Sequence, residues 1–141
     1  MVIWTINEAA SSYKATKELG LSRNWLEDQL AAATFNLANY EVEGDQLLLD
    51  KLKGNKPSAI SQTIIHGDCT IDNVLVCAGV VSSFIDLSGC TYGDPRYDVA
   101  LGIKAFLSNP VLLDAFYLGY EAKRMSNKEF TYFEEGLYEF F

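Results

Sequence analysis

Between residues 65 and 98 the chain carries side chains that can take a proton or hold a hard cation: His66, Asp68, Asn73, Asp86, Asp94 and Asp98. Asp68 follows His66 by two positions and precedes Asn73 by five; Asp86 closes the apolar run that comes next. Residues 73–77 and 80–86 read as a β-hairpin around Ala78-Gly79, with Val74, Leu75, Val76, Val80, Val81, Phe84 and Ile85 as strand formers. With a two-residue loop, Cys77 is expected to face Val80 and Asn73 to face Phe84. Asp86 is then a diagonal, same-face neighbour of Asn73, roughly 7–8 Å away between backbones and within side-chain reach. An amide oxygen and a carboxylate converging there suit Mg²⁺, which takes one or two protein ligands and completes its shell with water and phosphate. Asp68, in the loop leading to the same end, could accept a proton from an incoming hydroxyl while the metal neutralises phosphate charge.

Taken singly, each residue has an ordinary use. An imidazole such as His66 commonly orients a loop by hydrogen bonding. Gly67-Asp68 is a common turn, and Asn73 suits the entry to a strand. Asp86 can cap a strand end or start a turn. Asp94-Pro95 is a natural helix start, and a carboxylate at position 98 suits the first turns of that helix. Cys69 has no basic neighbour and reads as an unreactive thiol. The joint order of these residues, on a strand–loop–hairpin–helix pattern, is what chance rarely supplies.

The run His66-Gly67-Asp68-Cys69-Thr70-Ile71-Asp72-Asn73-Val74-Leu75-Val76 resembles the catalytic loop of the aminoglycoside phosphotransferase family, a branch of the choline kinase-like and protein kinase-like group. Phe84-Ile85-Asp86 and then Gly93-Asp94-Pro95-Arg96-Tyr97-Asp98-Val99-Ala100 resemble its second motif. The resemblance implies Asp68 as catalytic base, His66 bracing its loop, and Asn73 and Asp86 as Mg²⁺ ligands next to the nucleotide. Asp94 and Asp98 would hold the following segment. It further implies a kinase-like C-terminal lobe, ATP or GTP as phosphate donor, and a hydroxyl acceptor on a small molecule: an aminoglycoside, another antibiotic, a sugar, choline or homoserine. The motif likeness covers residues 64–100.

The elements that must position these groups make an α+β chain, mostly helical: helices over 1–61, loop and hairpin over 62–94, helices over 95–141, all in one domain. A helix is expected over 8–19, stopping at Gly20. Ser22 is a candidate cap for a second, to about Tyr40, with Trp25, Leu26, Leu30, Ala33 and Leu37 as its apolar stripe. A third runs from Asp45 to Lys53, and residues 62–66 read as a short strand. Asp94 caps the next helix, with Val99, Ile103 and Phe106 inward. Ser108-Asn109-Pro110 breaks it and starts another, to about Lys123. Ser126 or Asn127 caps a last helix toward Phe141. Tyr92, Tyr97, Phe130, Tyr132 and Phe133 are either core or lining of an acceptor site, with core the more ordinary use.

Residues 1–61 contain no glycine-rich loop, and Lys14, Lys17, Lys51 and Lys53 lie in helical patterns or at their ends rather than on a strand. The nucleotide-binding lobe that a kinase of this type requires is therefore expected to be absent, and the chain alone is expected to turn over little or not at all. The apolar surface facing that lobe would be covered by self-association or by a partner chain.

A net charge of −8 argues against nucleic acid or an anionic membrane as partners. At 141 residues the chain can bury a sizeable core. Three cysteines without zinc spacing suit a reducing compartment as small buried hydrophobes. With no apolar span and no leader pattern, the cytoplasm is the expected location. Two rival readings are a non-catalytic binding module built on the same fold, and a metal-dependent hydrolase using His66, Asp68, Asp86 and Asp94. The single histidine speaks against the hydrolase, because zinc sites usually draw on several nitrogen or sulfur ligands.

Overall fold

The structure, a computed structural model, describes residues 24–120 and 123–141. The helix expected over 8–19 and the Ser22 cap lie outside those residues.

Helix α1, Trp25–Asn39, follows Asn24. Its first N–H finds a distant partner, the Gln62 side-chain oxygen, at 2.8 Å. Trp25, Leu30 and Ala33 are buried on the expected stripe, with Leu26 and Leu37 packed alongside. Helix α2, Gln46–Gly54, is capped by the Asp45 carboxylate, which accepts from Leu48 N at 2.8 Å. Lys51 and Lys53 occupy its last turn, where cations favour the helix dipole.

Strand β1, Thr63–Ile65, pairs antiparallel with β4, Thr91–Gly93, in the register Thr63↔Gly93 and Ile65↔Thr91. No sequence pattern marked β4, a three-residue strand. Between them, β2 (Val74–Cys77) and β3 (Val80–Phe84) form the expected hairpin. Ala78 and Gly79 both take positive φ, 50° and 78°, the combination that matches hairpin twist.

Helix α3, Pro95–Ile103, starts at Asp94, whose carboxylate accepts from Arg96 N at 2.9 Å, with Pro95 in the first turn. Val99 and Ile103 are buried as expected. After a 3₁₀ turn at Lys104–Phe106 comes α4, Pro110–Tyr120. Helix α5, Asn127–Phe133, opens with a reciprocal capping box between Ser126 and Glu129. The expected continuation to Phe141 fails: a separate 3₁₀ turn, Leu137–Phe140, follows Gly136. There the chain packs tightly, since a Cβ on Gly136 would sit 2.6 Å from the Tyr132 carbonyl.

The core lies among α1, α2, α3, α5 and the last turn. Leu49, Phe133, Leu137 and Phe140 are fully buried, each contributing roughly 1.5–3 kcal/mol. Tyr97 joins α3 to this core through ring contacts with Trp25 at 5.2 Å and Phe133 at 6.4 Å. Tyr97, Phe130, Tyr132 and Phe133 are buried in the core, the more ordinary of their two expected uses; the Tyr132 hydroxyl donates to the Leu52 carbonyl at 3.1 Å. The cysteines depart from expectation. Cys77 and Cys90 are exposed and Cys69 is half-buried, because the hairpin and the turn before β4 stand out from the core. Among the described residues no helix is long and apolar enough to cross a membrane.

Candidate active site

The loop after β1 carries the chemistry, and α3 holds that loop in place. Asp98 accepts from His66 N at 2.6 Å and from Gly67 N at 2.9 Å, using both carboxylate oxygens. Burial raises the Asp98 pKa, outweighing the two backbone donors that lower it. Gly67 sits at φ +86°, and a Cβ there would collide with the Gly89 carbonyl. Only glycine allows the loop to lie against the 3₁₀ turn Leu87–Gly89.

His66 braces both sides of the site. Its Nε2 lies 2.9 Å from the Ile85 carbonyl and its Nδ1 accepts from Asp68 N at 3.3 Å. With Nδ1 accepting, Nε2 is the nitrogen that donates to the Ile85 carbonyl. His66 therefore ties the loop to the end of β3.

Asp68 and Asn73 are in direct contact. The Asn73 amide nitrogen donates to Asp68 Oδ2 at 2.8 Å and to the Asp68 carbonyl at 2.8 Å. A 3₁₀ turn, Ile71–Asn73, makes this approach possible. The other Asp68 oxygen, Oδ1, accepts from the Tyr138 hydroxyl at 3.1 Å. Tyr138 was invisible to sequence reasoning, because no local pattern links residues 70 positions apart.

Asp86 is placed differently from the expected geometry. The hairpin register shifts between Leu75 and Val76, so that Cys77 still faces Val80 but Val74, not Asn73, faces Phe84. One additional residue in β3 bends and twists the strand. Asn73 instead lies across from Ile85, whose N–H donates to its carbonyl at 3.0 Å. The diagonal Asn73–Asp86 relation drawn from an unbroken register is therefore not formed. Asp86 follows in the left-handed region, φ 58°, with its carboxylate accepting from Ser88 Oγ at 2.8 Å. A non-glycine residue in that region marks local strain of the kind found at functional sites.

Asp94 belongs to a structural knot. Besides capping α3 it receives the Arg96 guanidinium on both oxygens, with Nη2–Oδ2 at 2.7 Å. Arg96 also donates to Glu129 at 3.0 Å and to the Ser58 carbonyl at 2.9 Å, and lies over the Phe133 ring. Arg96 had no assigned role in the sequence, yet it links the start of α3, the start of α5 and the segment before β1. This engagement removes Asp94 from the hydrolase reading. Among the described residues no three His, Cys, Asp or Glu side chains gather to hold a metal.

Asn73 and Asp86 each offer an oxygen of the kind a magnesium ion takes, and such an ion needs few protein ligands. Asn73 turns its amide nitrogen to Asp68, leaving its carbonyl oxygen as the group directed elsewhere. The exposed Asp86 carboxylate has acceptor capacity beyond its bond from Ser88. Cys69, beside Asp68, is unsuited to nucleophilic work: burial first, then the charges of Asp98 and Asp68, push its thiol up to about 12.

Comparisons with known proteins address the family and the fold. Two curated relatives are homoserine kinases. The one from Neisseria meningitidis serogroup B is 36% identical over 92 residues, covering 60% of this chain and 30% of the relative. The one from Beijerinckia indica is 33% identical over 87 residues, covering 57% and 27%. The chain thus matches less than a third of the length of either. A crystal structure of an aminoglycoside-3'-phosphotransferase of type VIII superposes with a TM-score of 0.68 at 22% identity, over 82% of this chain and 51% of that one. That likeness establishes a shared α+β fold. The sequence profile of the phosphotransferase enzyme family matches residues 5–129, across the loop, the hairpin and the helices on both sides, and the chain belongs to that family.

Proposed function

We propose that this chain is the catalytic, acceptor-side lobe of a small-molecule kinase, transferring the γ-phosphoryl group of ATP or GTP to a hydroxyl. The observation that carries the reading is the contact of Asn73 with Asp68: base and amide ligand share one hydrogen-bonded unit. Asp68 accepts the proton of the acceptor hydroxyl as its oxygen bonds to the γ-phosphorus. The bond from that phosphorus to the bridging oxygen breaks, and the nucleoside diphosphate leaves. Asn73 and Asp86 would hold Mg²⁺, which supplies charge neutralisation on the phosphates when bound. His66 keeps the base loop against the end of β3, and Asp98 fixes its backbone. The relatives named above make homoserine and an aminoglycoside the first acceptors to try.

The test is phosphate transfer from Mg-ATP or Mg-GTP to these acceptors by the wild-type chain and by Asp68→Asn. Loss of a positioned base lowers turnover by about 10²–10⁴. An Asp68→Asn chain as active as wild type would end the reading.

The alternative is a binding module on the same fold that lacks turnover. Calorimetry with Mg-ATP and with homoserine separates the two: heat from either supports the kinase lobe, and heat from neither supports the module. We also propose that the exposed hairpin face meets the rest of a nucleotide-binding lobe or, in its absence, a second copy of the chain.

A further inference from the structure

We propose that Tyr138 is a positioning residue for Asp68; the proposal rests on the reading of Asp68 as the base. The phenol donates to Oδ1 at 3.1 Å and the Asn73 amide donates to Oδ2 at 2.8 Å. One donor on each oxygen fixes the plane of the carboxylate, a torsion that is otherwise broad. Each carboxylate oxygen has a further lone-pair site, so a hydroxyl can still be received.

The phenol is delivered by a rigid segment. Leu137 and Phe140 flank it and are fully buried. The Phe140 carbonyl accepts from Asn36 Nδ2 at 2.9 Å, and the Glu139 carbonyl from Gly44 N at 2.9 Å. The last turn is therefore bolted to α1 and to the loop before α2. The Tyr138 ring also contacts buried Tyr97, centroids 6.3 Å apart. The core of the helical body thus reaches the reacting carboxylate through one hydroxyl. Misplacing a catalytic group by about 1 Å can cost about a hundredfold in rate, so one fixed donor has kinetic weight.

The experiment compares wild type, Tyr138→Phe and Asp68→Asn as full chains, with Mg-ATP and homoserine. Tyr138→Phe keeps the ring and its packing and removes only the donor. The expected result is a kcat lowered about tenfold with the KM for homoserine changed by less than about twofold, as befits a group acting through the base. A kcat within about twofold of wild type overturns the proposal. A second readout needs no turnover: hydrogen exchange of the Asn73 side-chain amide, followed by NMR. If Tyr138→Phe frees the carboxylate, that exchange quickens; unchanged exchange overturns the proposal even where wild type is inactive. Full turnover in Asp68→Asn would instead sink the base reading, and the amide readout would still decide the Tyr138 contact.

Discussion

Asp98 ties two backbone N–H groups of the loop after β1 to helix α3. Its position, four residues past the cap, made a structural use legible in the sequence, but the dipole argument pointed to the wrong beneficiary. The carboxylate serves the loop rather than the helix that carries it. Asp98→Asn leaves one acceptor facing two donors, and the amide nitrogen meets one of them. The expected cost is about 1–3 kcal/mol, the range for stranding a buried donor. Chemical denaturation with a constant m-value checks it, and an unshifted midpoint would refute the clamp. Asp68 was legible for the opposite reason: its spacing to His66 and Asn73 is local. Tyr138, its other donor, was not, because only tertiary packing sets that contact.

At the scale of elements, the hairpin turn was legible and its register was not. Ala78-Gly79 advertises a two-residue loop, whereas the register shift at Leu75/Val76 leaves no mark in composition. The turn also shows where the sequence is suboptimal. Ala78 takes φ 50°, a region that costs an ordinary residue about 1–2 kcal/mol and suits asparagine better. Ala78→Asn is expected to stabilise the chain by about 1 kcal/mol, seen as a raised denaturation midpoint. A drop in the midpoint would argue against this turn geometry.

Helix α5 offers a pH test. The Ser126 backbone and hydroxyl, and then Arg96, hold the Glu129 carboxyl below its ordinary pKa. A depressed folded pKa means that its stabilisation is present above the unfolded value and is lost as pH falls through the folded one. Glu129→Gln keeps an acceptor for the capping box and removes the charge. The variant should be less stable than wild type near neutrality by a few tenths of a kcal/mol, because solvent screens this partly exposed carboxylate, with the gap closing toward acid. A gap that is constant with pH would rule out the ionic part. The capping box itself was half visible: Ser126 was a candidate cap, while the Arg96–Glu129 bridge across 33 residues had no local signal.

Across the whole molecule, the core sits in the helical body while the hairpin stays bare. Leu75, Val76, Val80, Phe84, Ile85 and Leu87 are all exposed, and among the described residues β2 and β3 pair only with each other. A two-stranded hairpin is marginal without further packing. Self-association of this chain is the expected consequence, seen as a sedimentation coefficient that rises with concentration. Val76→Lys with Val80→Lys should weaken it by about tenfold, since each charge removes apolar area from the contact. A wild-type chain that sediments as a monomer at every concentration would leave the face to a different partner.

The contacts around Asp68 also set an order of assembly. The clamp from Asp98 spans about thirty residues and the hydroxyl from Tyr138 spans 70. On a ribosome, residues 66 to 73 emerge long before either anchor. The carboxylate acquires its final orientation only when the last aromatic turn docks. Closing long loops carries an entropic cost that delays such contacts. A nascent chain stalled before residue 138 therefore carries every side chain of the motif with an incompletely held base.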